Sequence, residues 1–229
     1  ILFDHDVYVL CSDGDMMEGI SSEAASIAGN MQLGKLIYIY DDNHITIEGD
    51  TAITFNEDVA GRFVAYHWHV QELPDGNDVE AITAALKKAK EETKRPSLIR
   101  IRTHIGYGSP NKEDTAAAHG SPLGADEVKL VKQFFGFDPE QFFVIPEKVL
   151  SFYRSAGKKG IEKEMQLNSL FKQYKEKYPE EANEWVTISS GKLPSGWKEL
   201  LPVFKGPDKI ATRKASGKVL NAIADKLPF

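Results

Sequence analysis

The residues with the clearest capacity for chemistry form an acidic cluster that directly follows an apolar run near the start of the chain. The run Val7-Tyr-Val-Leu10 is typical of a buried strand, and the cluster contains Asp13, Asp15 and Glu18, with Gly14 between the first two. A carboxylate is unfavourable to bury unless a partner compensates its charge. A bound cation is therefore the first partner to consider for Asp13.

A second polar group follows the next predicted strand, Leu36–Tyr40, where Asn43 comes three residues after the strand. In open parallel sheets, ligands bind beyond the carboxyl ends of the strands. If the two strands are neighbours, Asp13 and Asn43 lie side by side. Their oxygens are hard donors suited to Mg2+ or Ca2+, and Mg2+ is commonly shared with substrate phosphates. Gly14 would let a phosphate approach the backbone N–H at the start of the following helix.

The elements that must position these residues alternate between strands and helices. Apolar runs predict strands at Val7–Leu10, Leu36–Tyr40, Trp68–Leu73 and Ser97–Ile101. Helical periodicity predicts helices over 20–31 and 79–89, and the second begins behind a capping box formed by Asn77 and Glu80. This alternation predicts the α/β class, with a doubly wound parallel sheet covered on both faces by helices.

The second half of the chain is predicted to form a helical C-terminal extension. Residues 104–124 lack periodicity, and a loop of this length inside a compact domain is usually functional or disordered. Helical patterns then cover 125–135, 146–178 with breaks, 179–189 and 212–227, and a connector occupies 190–212.

Composition argues against several classes of function. Lys and Arg number 28 and Asp and Glu 34, so the net charge is −6 and no basic excess indicates nucleic-acid binding. No apolar run approaches the roughly 20 residues that span a bilayer, and no signal peptide is visible. The single cysteine, Cys11, excludes an intrachain disulfide and is typical of a reducing compartment. We expect a cytoplasmic protein that binds neither nucleic acid nor membranes.

Several longer blocks resemble transketolase when they are read in order. They are DGDMMEGISSEAASIAGNMQLGKLIYIYDDNHITIEGD, FNEDVAGRFVAYHWHV, RPSLIRIRTHIGYGSPNK and AAAHGSPLG, and the resemblance runs from about Val7 to the ATRKAS at 211–216. Within the first block, Asp13-Gly14 followed by Asn43 is similar to the thiamine diphosphate motif of that family, a G-D-G followed by N. Two positions depart from the pattern, because Ser12 replaces the first glycine and His67 stands where glycine is common.

The resemblance implies thiamine diphosphate and Mg2+ as cofactors, with Ca2+ as a possible substitute. By this resemblance the side chains of Asp13 and Asn43 and the backbone carbonyl of Ile45 are the metal ligands. Gly14 contacts the diphosphate.

The resemblance also implies positions around the cofactor rings. Ile47 and Ile105 pack against the rings, and His119 lies near the diphosphate and the reacting carbon as a candidate catalytic residue. Glu18 lies at the subunit interface close to the cofactor, where it is a candidate for relaying protons between two sites.

Several of these residues could instead have a purely structural role. Asp13 could be only a helix N-cap, Asn43 only a turn residue, and Glu18 only an exposed helical residue. Asp15 is expected to be a solvated carboxylate favoured by the helix dipole. His67 and His69 share one face of a predicted strand, but no third metal ligand has a visible spacing. The role of His104 stays open.

The reaction that the resemblance implies is the transfer of a two-carbon ketol unit from a ketose phosphate to an aldose phosphate, in the pentose phosphate pathway. The nearest alternatives are a dihydroxyacetone synthase, a deoxyxylulose-phosphate synthase-like enzyme, and a non-catalytic interaction fragment. Expected partners are the sugar phosphates and either a second subunit of a homodimer or a complementary transketolase half.

The chain is expected to be a fragment, since it opens at Ile1 without methionine and closes directly after a helical pattern. We expect residues 1–190 to be part of the diphosphate-binding domain, truncated at the N-terminus, and residues 191–229 to lead to a pyrimidine-binding domain. Because the resemblance places an essential glutamate in that second domain, we expect the chain alone to have little or no activity.

Overall fold

A computed structural model of the chain describes residues 3–206 and 209–227. These residues divide into two compact units. We call residues 3–144 the α/β unit and the described residues from 145 onward the helical unit. Each unit is described by itself.

The α/β unit is built on a parallel sheet. Its strands, in chain order, are β1 (Val7–Ser12), β2 (Leu36–Asp42), β3 (Ile45–Thr46), β4 (Gly49–Asp50), β5 (His69–Leu73) and β6 (Ser97–Arg102). The order in the parallel sheet is β1-β2-β6-β5, and β3 pairs with β4 in a short antiparallel hairpin. The predicted strands are all present, and the predicted α/β fold is confirmed.

Helices connect these strands, and one further helix follows the last strand. They are α1 (Asp13–Met17), α2 (Gly19–Asn30), α3 (Val59–Ala65), α4 (Val79–Glu91) and α5 (Ala125–Phe134). The predicted capping box before α4 is wrong, because the N-cap is Asp78, whose side chain accepts a hydrogen bond from the backbone N of Ala81 at 2.9 Å.

The core has two buried clusters, one on each face of the sheet. Along β2, Tyr40 belongs to the first cluster and Ile37 to the second, as the alternation of side chains along a strand requires. Residues from α1, α2 and α3 complete the first cluster, and Ala85 and Ala89 of α4 complete the second. Helices therefore cover both faces, as the doubly wound arrangement demands.

The contact between α2 and the chain after α3 depends on a glycine. A Cβ at Gly29 would lie 1.8 Å from the backbone O of Tyr66, so no larger residue fits without movement of the backbone. Beside this contact, Trp68 is buried and its Nε1 donates to the carbonyl O of Ala25 at 2.8 Å. These contacts fix α2, and with it the end of β1, against the rest of the unit.

β1 lies at one edge of the described sheet, where it pairs with β2 alone. Its apolar side chains are unusually exposed, with Tyr8 at 48% and Leu10 at 81%. Strands of a parallel sheet are normally buried on both faces. The surface around β1 is therefore apolar and open.

The helical unit contains α6 (Glu147–Lys177), α7 (Pro179–Ser189) and α8 (Thr212–Ile223). The predicted breaks in the first of these are wrong, because α6 is continuous through Gly157 and Gly160. A glycine inside a helix costs only about 1 kcal/mol relative to alanine, which is too little to interrupt a long helix. Among the described residues, no helix is both long and apolar enough to cross a membrane.

Candidate functional site

The structure brings all of the predicted site residues to one cavity of about 510 Å³ in the α/β unit. The residues are Asp13, Gly14, Glu18, Asn43, Ile45, Ile47, Ile105 and His119. β1 and β2 run parallel with Ser12 opposite Asp41, so both chains leave the sheet at the same edge. This register is what places residues 13 and 43, far apart in sequence, on the same cavity wall.

Asp13 is buried, with an exposed fraction of 3%, and each of its carboxylate oxygens accepts a hydrogen bond. Tyr40 Oη donates to Oδ1 at 2.5 Å, and the backbone N of His44 donates to Oδ2 at 3.2 Å. Burial raises the pKa of Asp13, and the bond from Tyr40 opposes that rise. A carboxylate in this position is stabilised further by any cation that enters the cavity.

Asp13 is not the N-cap of α1, since that position belongs to Ser12. The backbone N of Ser12 donates to Asp15 Oδ2 at 2.8 Å, and its hydroxyl donates to the same oxygen at 3.2 Å. The alternative that Asp13 is only a helix N-cap is therefore wrong. Asp15 remains exposed, as expected, but it also bonds Ser12 across the start of the helix.

At Gly14, a Cβ would meet no protein atom within 4 Å. The protein's own packing therefore does not require glycine here. Gly14 lines the cavity without a side chain, so its backbone is open to a ligand there.

Asn43 begins a tight turn that carries the cavity wall onward from β2. Its Oδ1 accepts a hydrogen bond from the backbone N of Ile45 at 2.9 Å, and His44 between them adopts a positive φ of 63°. The hairpin of β3 and β4 follows, and it exposes 73% of Ile47 beside the cavity. An exposed isoleucine on a fixed hairpin offers an apolar contact to a ligand.

Ile105 and His119 reach the cavity from the long segment after β6, which is ordered in the structure. Glu127 of α5 holds this segment by accepting hydrogen bonds from Ser109 Oγ at 2.5 Å and from the backbone N of Asn111 at 2.9 Å. These bonds lower the pKa of Glu127. The loop was expected to be functional or disordered, and these bonds hold it in a conformation in which His119 lines the cavity.

The cavity wall is strongly acidic. Its acidic side chains are Asp13, Asp15, Glu18 and Glu48, and no lysine or arginine lines it among the described residues. Such a wall repels an anion unless a cation lies between them. The donor set, a buried carboxylate beside an amide oxygen, suits Mg2+ or Ca2+. The residues present therefore fit a divalent cation.

A family model described as transketolase, thiamine diphosphate binding domain, matches residues 1–194. The chain belongs to the transketolase family. It is 46% identical over 227 residues to the transketolase of Halalkalibacterium halodurans and 49% identical over 229 residues to that of a Nostoc species. Both alignments cover 99% of this chain and 34% of the relative, so the chain spans about a third of the length of these relatives.

Solved transketolases share its fold. The structure from Pichia stipitis in complex with sedoheptulose-7-phosphate has a TM-score of 0.88 at 43% identity, covering 99% of this chain and 34% of that one. The Leishmania mexicana transketolase has a TM-score of 0.89 at 37% identity, with the same coverage. The sequence-based recognition of the family is confirmed.

The sequence analysis did not identify Tyr40, which contacts Asp13 at the predicted metal site of this transketolase-family chain. Tyr40 is 2% exposed, and burial followed by its bond to Asp13 raises the pKa of its hydroxyl, which stays protonated as a donor. The available signal was its position two residues before Asp42 in β2, which places both side chains on one face. Local sequence patterns give no indication that this face meets Asp13.

The remaining histidines lie outside the cavity. His104 Nδ1 pairs with Asp114 Oδ2 at 2.6 Å, and each side chain is 39% exposed. Together with Glu113, this pair is the one group of three acidic or histidine side chains close enough to hold an ion among the described residues. His69 Nδ1 contacts Ser97 Oγ at 3.1 Å, and burial lowers its pKa. His67 has a positive φ of 65°, which explains physically why glycine suits its position.

Proposed function

We propose that this chain carries the metal and diphosphate half of a transketolase active site. The observation that supports the proposal most is the single cavity at the carboxyl ends of β1 and β2, which every residue implied by the family resemblance lines. Its acidic wall accounts for the need for a divalent cation between the protein and a diphosphate.

In this proposal, the side chains of Asp13 and Asn43 and the backbone carbonyl of Ile45 hold Mg2+, with Ca2+ as an alternative. Asp13 enters the site as a buried carboxylate whose two oxygens are already oriented by Tyr40 and His44. Each carboxylate oxygen has a second lone pair, so these bonds leave Asp13 free to ligate. Gly14 admits the diphosphate, since its Cα faces open space.

The other cavity residues shape the apolar and proton-transfer parts of the site. Ile47 and Ile105 pack against the rings of the cofactor and exclude water there. His119, presented by the loop that Glu127 orders, holds or donates a proton near the diphosphate and the reacting carbon. Glu18 is exposed at the cavity rim, where it relays a proton toward a second subunit. Thiamine diphosphate, when bound, supplies the carbanion chemistry.

For the whole protein, we propose ketol transfer from a ketose phosphate to an aldose phosphate, within the pentose phosphate pathway and in the cytoplasm. Solved relatives in complex with sedoheptulose-7-phosphate and xylulose-5-phosphate support sugar phosphates as substrates. The site is completed by a second subunit or by a complementary half. The division into a diphosphate-binding part at 1–190 and a linker at 191–229 belongs to the same proposal.

Calorimetry tests this function directly. Thiamine diphosphate titrated into the chain with Mg2+ should release heat that disappears when EDTA replaces the metal. The variant Asp13→Asn should abolish the Mg2+-dependent part, while Asp126→Asn, an exposed aspartate on α5 outside the cavity, should bind like the original chain. Equal binding with and without Mg2+, or by both variants, would contradict the proposal.

A turnover assay tests the expectation for the chain alone. With thiamine diphosphate, Mg2+, a ketose phosphate and an aldose phosphate, the purified 229-residue chain should give little or no product. Product formation at a rate typical of enzymes, about 1 per second or more, would refute this part of the proposal.

A further inference from the structure

The orientation of Asp13 depends on a tyrosine that lies behind the metal-binding face. Tyr40 Oη is 2.5 Å from Asp13 Oδ1 and 3.4 Å from Asp42 Oδ1. A hydroxyl has one proton and can donate it to only one of the two carboxylates. The distances indicate that the proton is directed at Asp13.

Asp42 is kept from competing for that proton by its own partners. Its Oδ2 accepts a bond from Arg100 Nε at 2.7 Å, and its Oδ1 lies 3.2 Å from His44 Nε2. Asp42 is 3% exposed, so its buried charge depends on Arg100 for a permanently cationic partner. Arg100, which also donates to Glu72 Oε2 at 3.0 Å, pairs with Asp42 and thereby leaves the Tyr40 hydroxyl to Asp13.

The two bonds to Asp13 come from β2 and from the turn that follows it, and together they fix the plane of the Asp13 carboxylate. Tyr40 holds one oxygen from inside β2, and the backbone N of His44 holds the other from the turn after the strand. Partners that hold the first ligands of a metal in place govern how well the metal binds.

We propose that Tyr40 is a positioning residue for the divalent cation, and that the ion pair between buried Asp42 and half-buried Arg100 keeps the Tyr40 hydroxyl directed at Asp13. This inference rests on the proposed function, because it takes Asp13 as a metal ligand. Tyr40 itself contacts neither the metal nor the diphosphate. Its effect is transmitted entirely through the orientation of the Asp13 carboxylate.

The test compares three variants of the full 229-residue chain by electron paramagnetic resonance of Mn2+ in the presence of thiamine diphosphate. Tyr40→Phe removes only the hydroxyl. Tyr38→Phe is the matched control, since Tyr38 lies two residues earlier in β2 and contacts the aromatic core through its ring. Asp13→Asn tests the ligand itself. A blank without protein corrects for Mn2+ bound by free thiamine diphosphate.

Tyr40→Phe should weaken Mn2+ binding about 10- to 100-fold, the usual effect of losing a partner of a metal ligand. It should also alter the spectrum of the bound ion, while thiamine diphosphate affinity at saturating Mn2+ and the circular dichroism spectrum stay unchanged. Tyr38→Phe should bind Mn2+ within twofold of the original chain. A purely structural role for Tyr40 would not produce this combination of results.

The outcomes separate the two hypotheses. If Asp13→Asn abolishes Mn2+ binding but Tyr40→Phe binds within twofold of the original chain with the same spectrum, the positioning role is wrong and the proposed function stands. If the original chain binds no Mn2+, or Asp13→Asn binds it normally, the proposed function fails and the inference fails with it.

Discussion

The α/β unit and the helical unit bury their apolar side chains to very different degrees. The α/β unit has buried clusters on both faces of its sheet, whereas the buried apolar residue of the helical unit is Ala182 among the described residues. The long helix α6 has no buried residue and exposes large side chains such as Phe152 at 68% and Met165 at 67%. Stability from hydrophobic burial is therefore concentrated where the candidate site is, and the site rests on the better-packed part of the chain.

The largest expected difference between the two units is in the free energy of unfolding lost when one phenylalanine ring is removed from each. Phe63 is 1% exposed and packs edge-on against Trp68 with ring centroids 4.9 Å apart. Phe63→Ala should lower the free energy of unfolding by about 3 to 5 kcal/mol. Phe152→Ala in α6 should change it by about 0.5 kcal/mol or less. Urea unfolding followed by tryptophan fluorescence and circular dichroism measures both, and equal losses would contradict the contrast.

A pair of glycine substitutions should have effects of opposite sign. Gly29→Ala places a Cβ against the backbone O of Tyr66 and should lower the free energy of unfolding by about 1 to 3 kcal/mol. Gly157→Ala in α6 meets open space and should stabilise that helix by about 0.5 to 1 kcal/mol. Thermal melts of the two variants provide the measurement. Destabilisation by both would show that α6 is more tightly packed than its exposure indicates.

The exposed edge at β1 should promote self-association of the chain. An edge strand with exposed apolar side chains offers unpaired backbone groups to other molecules. Leu10→Lys should therefore reduce the association seen by analytical ultracentrifugation. Val203→Lys is the control, because Val203 has the same exposure of 81% in the helical unit but lies outside any strand. A monodisperse monomer at high concentration would contradict this expectation.

The smallest expected effect concerns the carboxylate that orders the loop carrying His119. Because hydrogen bonds lower the pKa of Glu127, its contribution to stability is complete above its ordinary value of 4.5 and is lost as pH falls through the lowered value. Glu127→Gln should remove this pH dependence of the free energy of unfolding, measured by urea unfolding at several pH values. It should also speed proteolysis of residues 104–124. Glu164→Gln, exposed in α6, should leave both unchanged. If the free energy of unfolding depends on pH in the same way for the original chain and for Glu127→Gln, Glu127 does not stabilise the loop as described.

The sequence predicted the sheet well because its strands carry continuous apolar runs, including β1, whose apolar side chains are exposed at the edge of the sheet. It also predicted which residues share the cavity. Asp13 and Asn43 follow from the rule that neighbouring parallel strands end at one edge of the sheet, and the remaining residues follow from the resemblance to transketolase. It missed α3 and the β3–β4 hairpin, which are short elements with too few residues to show a period. A cap such as Asp58, which accepts a bond from the backbone N of Gly61, was the available signal for α3.

The contacts behind the site could not be predicted from local patterns. The bond from Tyr40 to Asp13 joins residues 27 apart, and the bond from Arg100 to Asp42 joins residues 58 apart. Such pairs form only once the strands are aligned in register.

The most direct test of the central claim is to locate a divalent cation in crystals of the chain grown with Mn2+ and thiamine diphosphate. The account predicts an anomalous scattering peak about 2 Å from the side-chain oxygens of Asp13 and Asn43, with the diphosphate on its far side. A peak only at His104, Glu113 and Asp114, or a diphosphate bound away from Gly14, would contradict it.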